Sequence, residues 1–211
     1  MNDDNWSNLH KRYAEKDWSK LPSIFATEVL PYLPAHGSLL ELGTGVGQDG
    51  MYFSENGYEV TATDLFTDTI DAIIADTSAQ HIRTKALDLR EPFEFGDDSY
   101  DIVYAHLSLH YFDSKTTRQI FDEIYRVLKP GGMLAFFTNS TSDPEYGTGD
   151  KIEEDYFVVE GVAKRYFSVE SATSFLDNFT VTLADANGET YKDKAVGVHN
   201  LIRVMATKPR Q

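Results

Sequence analysis

The chain has 211 residues and sets 19 Lys and Arg against 34 Asp and Glu, a formal charge of −15. So acidic a protein lacks the electrostatic attraction that DNA, RNA or an anionic membrane needs, and none of these is expected as a main partner. With 41% hydrophobic and 25% charged residues the composition is that of a folded soluble domain, and the absence of cysteine excludes a disulfide framework, a thiolate nucleophile and a cysteine zinc site. Residues 1–6 are acidic and polar, unlike a signal peptide, and no run of about 18 apolar residues occurs, so a cytoplasmic protein without a membrane span is expected.

Residues 6–16 and 23–33 read as two helices bearing aromatic side chains, an N-terminal helical cap that Pro34 and Gly37 bring to an end. Residues 38–42 form a short buried strand, followed by a glycine-rich turn and a helix that Gly57 can terminate. Tyr58, Val60 and Ala62 alternate with Glu59, Thr61 and Thr63, which predicts a second strand over 58–64; Ile70, Ile73 and Ile74 then fall at helical spacing. A weak third strand covers 84–87 and ends at Asp88, and a stronger fourth covers 100–105. Ile120, Phe121, Ile124 and Leu128 make one apolar stripe on a helix over 115–128, and residues 129–132, Lys-Pro-Gly-Gly, supply a turn into a fifth strand over 133–138. Residues 141–163 show no clear periodicity and read as a long excursion over one face. Ser168 can cap a helix over 169–176, and strands over 179–184 and 200–207 close the chain.

Strands alternating with helices in this order predict an α/β fold, a Rossmann-like doubly wound sheet of seven strands, mostly parallel. One domain is expected: a helical cap over 1–36, a ligand-binding core over 37–139, the excursion over 140–167 and a C-terminal helix with strands over 168–211. Glu41, Leu42, Gly43, Thr44, Gly45, Val46 and Gly47 lie where the first strand should pass into a helix, where glycines let a ligand approach the backbone and the helix N-terminus offers free N–H groups. A tight connection is the plainer reading of such a turn. Asp64 shifts the balance, because it ends the next strand, where this fold places a carboxylate that can accept both ribose hydroxyls; a turn or capping role is its alternative. Gly45, Gly47 and Gly50 fit the nicotinamide spacing GxGxxG, whereas Gly43, Gly45 and Gly47 fit GxGxG and begin directly after the strand, which is the better register.

In residues 40–47, 58–64, 86–93, 98–110 and 125–136 the sequence resembles the class I S-adenosylmethionine-dependent methyltransferases. An acid before GxGxG, a strand-end acid, Asp88, the Ser-Tyr-Asp entry to strand four and Arg-Val-Leu-Lys-Pro-Gly-Gly occur in the family's order. Residues 47–64 are also similar to small-molecule enzymes of the tellurite-resistance and thiopurine methyltransferase type. The resemblance implies an antiparallel strand at the C-terminal end of the sheet and S-adenosyl-L-methionine as cofactor. It implies that Glu41, Gly43, Thr44, Gly45 and Gly47 cradle the methionine moiety, that Asp64 holds the ribose and that Leu65 packs on adenine. Asp88 and the Leu89 amide would read the adenine edge, and the carbonyls of Ala105 and His106 would face the sulfonium.

His106 and His110 would share one face if the residues between them were helical, but Leu107 stands where a zinc protease needs Glu, and no third ligand is near in sequence, so a metal site is not expected. As strand-end residues, His106, His110 and Tyr111 are candidates for the acceptor side of the methyl group, with packing as the plainer role. Trp6, Tyr13, Trp18 and Phe25 read as apolar helix faces, with a lid over the cofactor as the functional alternative. The excursion holds seven acids against Lys151 alone, which favours a neutral or cationic small-molecule acceptor. A catalytically idle S-adenosylmethionine-binding protein is the alternative from another class, and a nicotinamide-dependent oxidoreductase comes third.

Overall fold

The predicted alternation is realised in a computed structural model that describes residues 10, 13–77, 79–190 and 197–210. Its main sheet joins β1 (Gly37–Leu42), β2 (Tyr58–Asp64), β3 (Ile82–Ala86), β4 (Tyr100–His106), β5 (Leu128–Thr138), β9 (Thr180–Glu189) and β10 (His199–Thr207) in the order β3-β2-β1-β4-β5-β10-β9. Pairings β1–β2, β1–β4, β2–β3 and β4–β5 are parallel, and β10 runs antiparallel to both β5 and β9, so one C-terminal strand is reversed as expected.

Strand alternation sends successive side chains to two different cores. Leu40, Leu42, Val103, Ala105, Leu134 and Phe136 pack with Ile120, Phe121 and Ile124 of α4 (Ser114–Val127). On the other face Leu39, Ile102, Tyr104, Ala135 and Phe137 meet Phe25 and Val29 of α1 (Ile24–Val29), Phe53 of α2 (Gln48–Glu55) and Ile70 of α3 (Asp68–Thr77). Helices on both faces make the sheet doubly wound.

Several boundaries differ from those the sequence predicts. The helix expected over 23–33 stops at Val29 and tightens into a 3-10 turn, Leu30–Tyr32, where Pro31 has no N–H to continue it. β3 starts at Ile82 and β4 continues to His106. Residues 129–132 do not precede β5 but bulge within it: Tyr100 pairs with Leu128 and Ile102 with Met133, while Gly131 N donates to Lys208 O at 2.8 Å and Lys208 N to Gly132 O at 2.9 Å. The last helix, α5 (Val169–Thr173), is shorter than predicted, and β9 runs to Glu189. In the cap, Phe25 is buried as a helix face should be, Tyr13 is 38% exposed, and Trp6 and the Trp18 side chain lie outside the described residues.

The excursion is not irregular. It forms a second, three-stranded antiparallel sheet of β6 (Asp150–Glu153), β7 (Tyr156–Val159) and β8 (Val162–Arg165). Strands of four residues are too short to show a period, and the β7–β8 hairpin turns on Glu160 and Gly161, both at positive φ, the geometry of a two-residue primed turn.

The start of α1 is tied to α2 through one buried carboxylate. Asp49 accepts from the Ser23 backbone N, the Ser23 hydroxyl and the Tyr104 hydroxyl, each at 2.7 Å, while Ser23 also caps α1 through the Ala26 amide. Replacing Asp49 by Ala strands three donors on two residues, Ser23 and Tyr104, and urea unfolding should show a loss of about 3 kcal/mol, with Asp49→Asn costing less.

Candidate functional site

Because β1 has β2 on one side and β4 on the other, the chain leaves its carboxyl end at the point where strand order reverses, and a crevice must open there. The β1–α2 turn lines it. Gly43, Gly45 and Gly47 all have positive φ. Gly47 stands at the N-cap of α2 and has no room for a side chain, since a Cβ would overlap Ile70. Gly45 differs: its Cβ direction opens into the crevice, where the imidazole of His10 is the one described group within reach. The Gly45 amide donates to Asp64 Oδ2 at 2.9 Å and the Thr44 amide to Thr63 O at 2.8 Å, so β2 sets the position of the turn. Ser108, absent from the sequence-based candidates, fastens it from the β4 side by donating to Leu42 O at 2.5 Å.

Glu41 lies beneath the turn with 3% of its surface exposed and takes a 2.6 Å bond from the Thr44 hydroxyl. Burial first, then the charge of Asp49, pushes its carboxyl up to about 8, so it is largely protonated at neutral pH. Leu65, half-buried, follows Asp64 at the crevice edge. Asp88 stands in a fork with the Arg90 guanidinium, accepting at 2.6–3.0 Å, and this bond holds its carboxyl below the usual range; Leu89 packs against the α4-side core.

On the other wall, Ala105 is fully buried in β4, and His106 at the strand end stacks on Phe137 with ring centres 5.0 Å apart. Residues 107–111 are not helical. Leu107 takes a positive φ, so His106 and His110 do not share the helix face that their spacing allowed. Among the described residues no group of three His, Asp or Glu could hold a metal ion. Burial lowers the affinity of both imidazoles for a proton. For His106 the Asp49 charge works in the opposite direction, whereas Lys164 and His106 add to burial at His110 and hold it at about 3. His110 is 3% exposed and its Nδ1 has no hydrogen-bond partner among the described residues. Tyr111, in contact with the His110 ring at 4.1 Å, has its hydroxyl pKa raised by burial and by Tyr13, Asp64 and Glu145 around it.

The small sheet holds this loop by its backbone. His110 O accepts from Arg165 N at 2.7 Å, Tyr111 O from the Tyr156 hydroxyl at 3.0 Å and Phe112 O from Arg165 Nε at 3.1 Å. The buried Arg165 also pairs with Glu153, which itself accepts from Ser114 N at 2.6 Å. Three of the seven acids are therefore matched within the sheet region, Glu145 by Lys164, Glu153 by Arg165 and Glu154 by Lys151. Lys164 and Arg165 lie just past the stretch read as acidic, and only the hairpin register brings them onto it.

The donor set fits S-adenosylmethionine: a glycine open to the crevice, carboxylates for the ribose and ammonium, and no side chain at Gly45 to obstruct the backbone. A model of the methyltransferase domain matches residues 40–136. The malonyl-[acyl-carrier protein] O-methyltransferase of Pectobacterium atrosepticum is 31% identical over 132 residues, 61% of this chain and 48% of that protein. The chain thus spans about half the length of the curated relatives it matches. An S-adenosylmethionine-dependent methyltransferase of Methanosarcina mazei has a similar fold, with a TM-score of 0.73 at 20% identity over 87% of this chain and 98% of its own. So does the 1,6-didemethyltoxoflavin-N1-methyltransferase of Burkholderia thailandensis, solved with 1,6-didemethyltoxoflavin and S-adenosylhomocysteine, at a TM-score of 0.73 and 21% identity over 98% of this chain and 84% of its own.

The buried Glu41 makes a testable pH signature. An ordinary glutamate in the unfolded chain releases its proton near 4.5, whereas the folded protein keeps it to about 8, so stability falls as pH rises through that window. Glu41→Gln keeps an acceptor for Thr44 and removes the titration. Denaturation should find it as stable as wild type near pH 4.5 and more stable by roughly 2–4 kcal/mol above pH 8. Residues 40–136 match the methyltransferase-domain model, and the chain shares its fold with S-adenosylmethionine-dependent methyltransferases of solved structure.

Proposed function

We propose that the chain transfers the methyl group of S-adenosylmethionine to a small, neutral or cationic acceptor seated between His106, His110 and Tyr111. The observation that carries this reading is the bond from the Gly45 amide to Asp64 beneath an open glycine cradle, at the point where strand order reverses. When bound, S-adenosylmethionine supplies an electrophilic methyl group on a sulfonium. Glu41, Gly43, Thr44, Gly45 and Gly47 hold its methionine end, Asp64 the ribose and Leu65 the adenine face. The Leu89 amide reads the adenine edge, and Asp88 does so by sharing its carboxylate between Arg90 and the base. The carbonyls of Ala105 and His106 face the sulfonium.

Methyl transfer is an in-line displacement, so orienting the acceptor and excluding water supply much of the acceleration, and a base is needed only where the acceptor must lose a proton. The two histidines divide these tasks. At about 3, His110 is neutral and a weak base, suited to orienting an acceptor by hydrogen bonding. His106 lies in the negative field of Asp49 and is the better proton acceptor. With three of the seven acids matched by Lys164, Arg165 and Lys151, the region keeps more negative than positive charge, which supports a neutral or cationic acceptor over an anionic one.

Calorimetry tests the cofactor. S-adenosylmethionine and S-adenosylhomocysteine should bind, with Asp64→Ala losing about 1–3 kcal/mol, the worth of a charged hydrogen-bond partner. Tighter binding of NAD than of either would overturn the assignment, and binding without turnover of any acceptor would favour the idle alternative.

Release of S-adenosylhomocysteine across panels of free small molecules and a malonyl-loaded carrier protein then identifies the acceptor. With that acceptor, His106→Ala should lower turnover about a hundredfold or more at unchanged cofactor affinity. His110→Ala should act mainly through acceptor KM. Preference for a polyanionic acceptor, or full activity in both variants, would remove the acceptor-side assignment.

A further inference from the structure

The N-terminal segment reaches the glycine cradle from outside the motif. His10 is 6% exposed, and its Nε2 stands 3.9 Å from the place a Cβ on Gly45 would occupy, the sole described atom within 4 Å of it. Without a side chain, Gly45 lets a ligand in the crevice approach its backbone closely. His10 therefore borders the ligand's own space.

The charge around it narrows the role. The groups acting on Glu41 are themselves carboxylates, Asp49 and Asp64. The amino-acid end of S-adenosylmethionine is a zwitterion, and the two carboxylates suit its ammonium while opposing its carboxylate. Backbone N–H groups at the start of α2 offset part of that opposition. An imidazole offers a further donor without negative charge, in either protonation state. Further along the chain, Ser23 is bound to Asp49 in the first turn of α2.

We propose that His10 donates an imidazole N–H to the carboxylate of the bound cofactor and closes the cradle over Gly45. This rests on S-adenosylmethionine being the cofactor, and the test separates the two claims.

Isothermal titration calorimetry compares S-adenosylhomocysteine with its decarboxylated analogue, which differs only in lacking the carboxylate. Binding of S-adenosylhomocysteine by the wild-type chain tests the cofactor itself; no binding of either ligand would end the functional reading and this one with it. Given binding, His10→Ala should weaken S-adenosylhomocysteine by about 5- to 20-fold and the analogue by less than about twofold, a difference a merely structural residue would not produce. His10→Gln, which retains an N–H donor, should recover most of the loss. Equal weakening of both ligands would show that His10 only supports the fold, and unchanged or tighter binding of S-adenosylhomocysteine would show that it merely occupies the ligand's space. Either result overturns the proposal.

Discussion

A carboxyl buried beneath a glycine turn is the constraint from which the rest of this site follows. Glu41 has no solvent to stabilise its charge, so it is satisfied locally, by the Thr44 hydroxyl above it and by the start of α2 beside it. That arrangement requires α2 to begin close over β1, and Gly50 leaves the space, because a Cβ there would meet the Glu41 carboxyl. With the turn fixed from below, its Thr44 and Gly45 amides are bound to Thr63 and Asp64 of β2, and Ser108 fastens the other flank. The cradle is rigid on a rigid sheet, the condition for holding a ligand without paying heavily in ordered backbone.

Most of the cofactor side was legible in the residues themselves. A glycine turn after an apolar strand, followed by an acid at the end of the next strand, is local information, and both features appear where the spacing puts them. The parallel core was legible for the same reason, since each element carries its own period. The acceptor side was much less so. Asp49 reads in sequence as an ordinary first-turn acid of a helix, and only the packing of α1 on α2 reveals it as the shared acceptor of Ser23 and Tyr104. His10 gives no signal at all, because its significance lies in its approach to Gly45, 35 positions further along the chain. Arg165 is likewise invisible, one of two adjacent cations beside an acidic stretch, until the hairpins bring it onto Glu153 and the loop after β4.

The two histidines show how environment separates like residues. His106, half-buried at the end of β4, lies toward Asp49, and His110, buried in the loop beyond, lies toward Lys164, so their proton affinities are driven apart. The spacing of four had pointed to a shared helical face. The positive φ of Leu107 turns the chain instead, and that turn is what lets two histidines close in sequence serve different neighbours.

The way the small sheet grips the loop after β4 has a consequence for how such a protein can change. Three successive carbonyls, those of His110, Tyr111 and Phe112, are taken up by partners from β7 and β8, whereas the glycine turn is held by β2 and by Ser108. The two halves of the cleft are thus supported by separate stretches of chain. An insertion or recombination that exchanged residues 140–167 would carry the loop's supports with it and leave the cofactor half untouched. On the proposed assignment of this loop to the acceptor, acceptor choice would be heritable as a cassette, free to diverge while the donor chemistry stays constant.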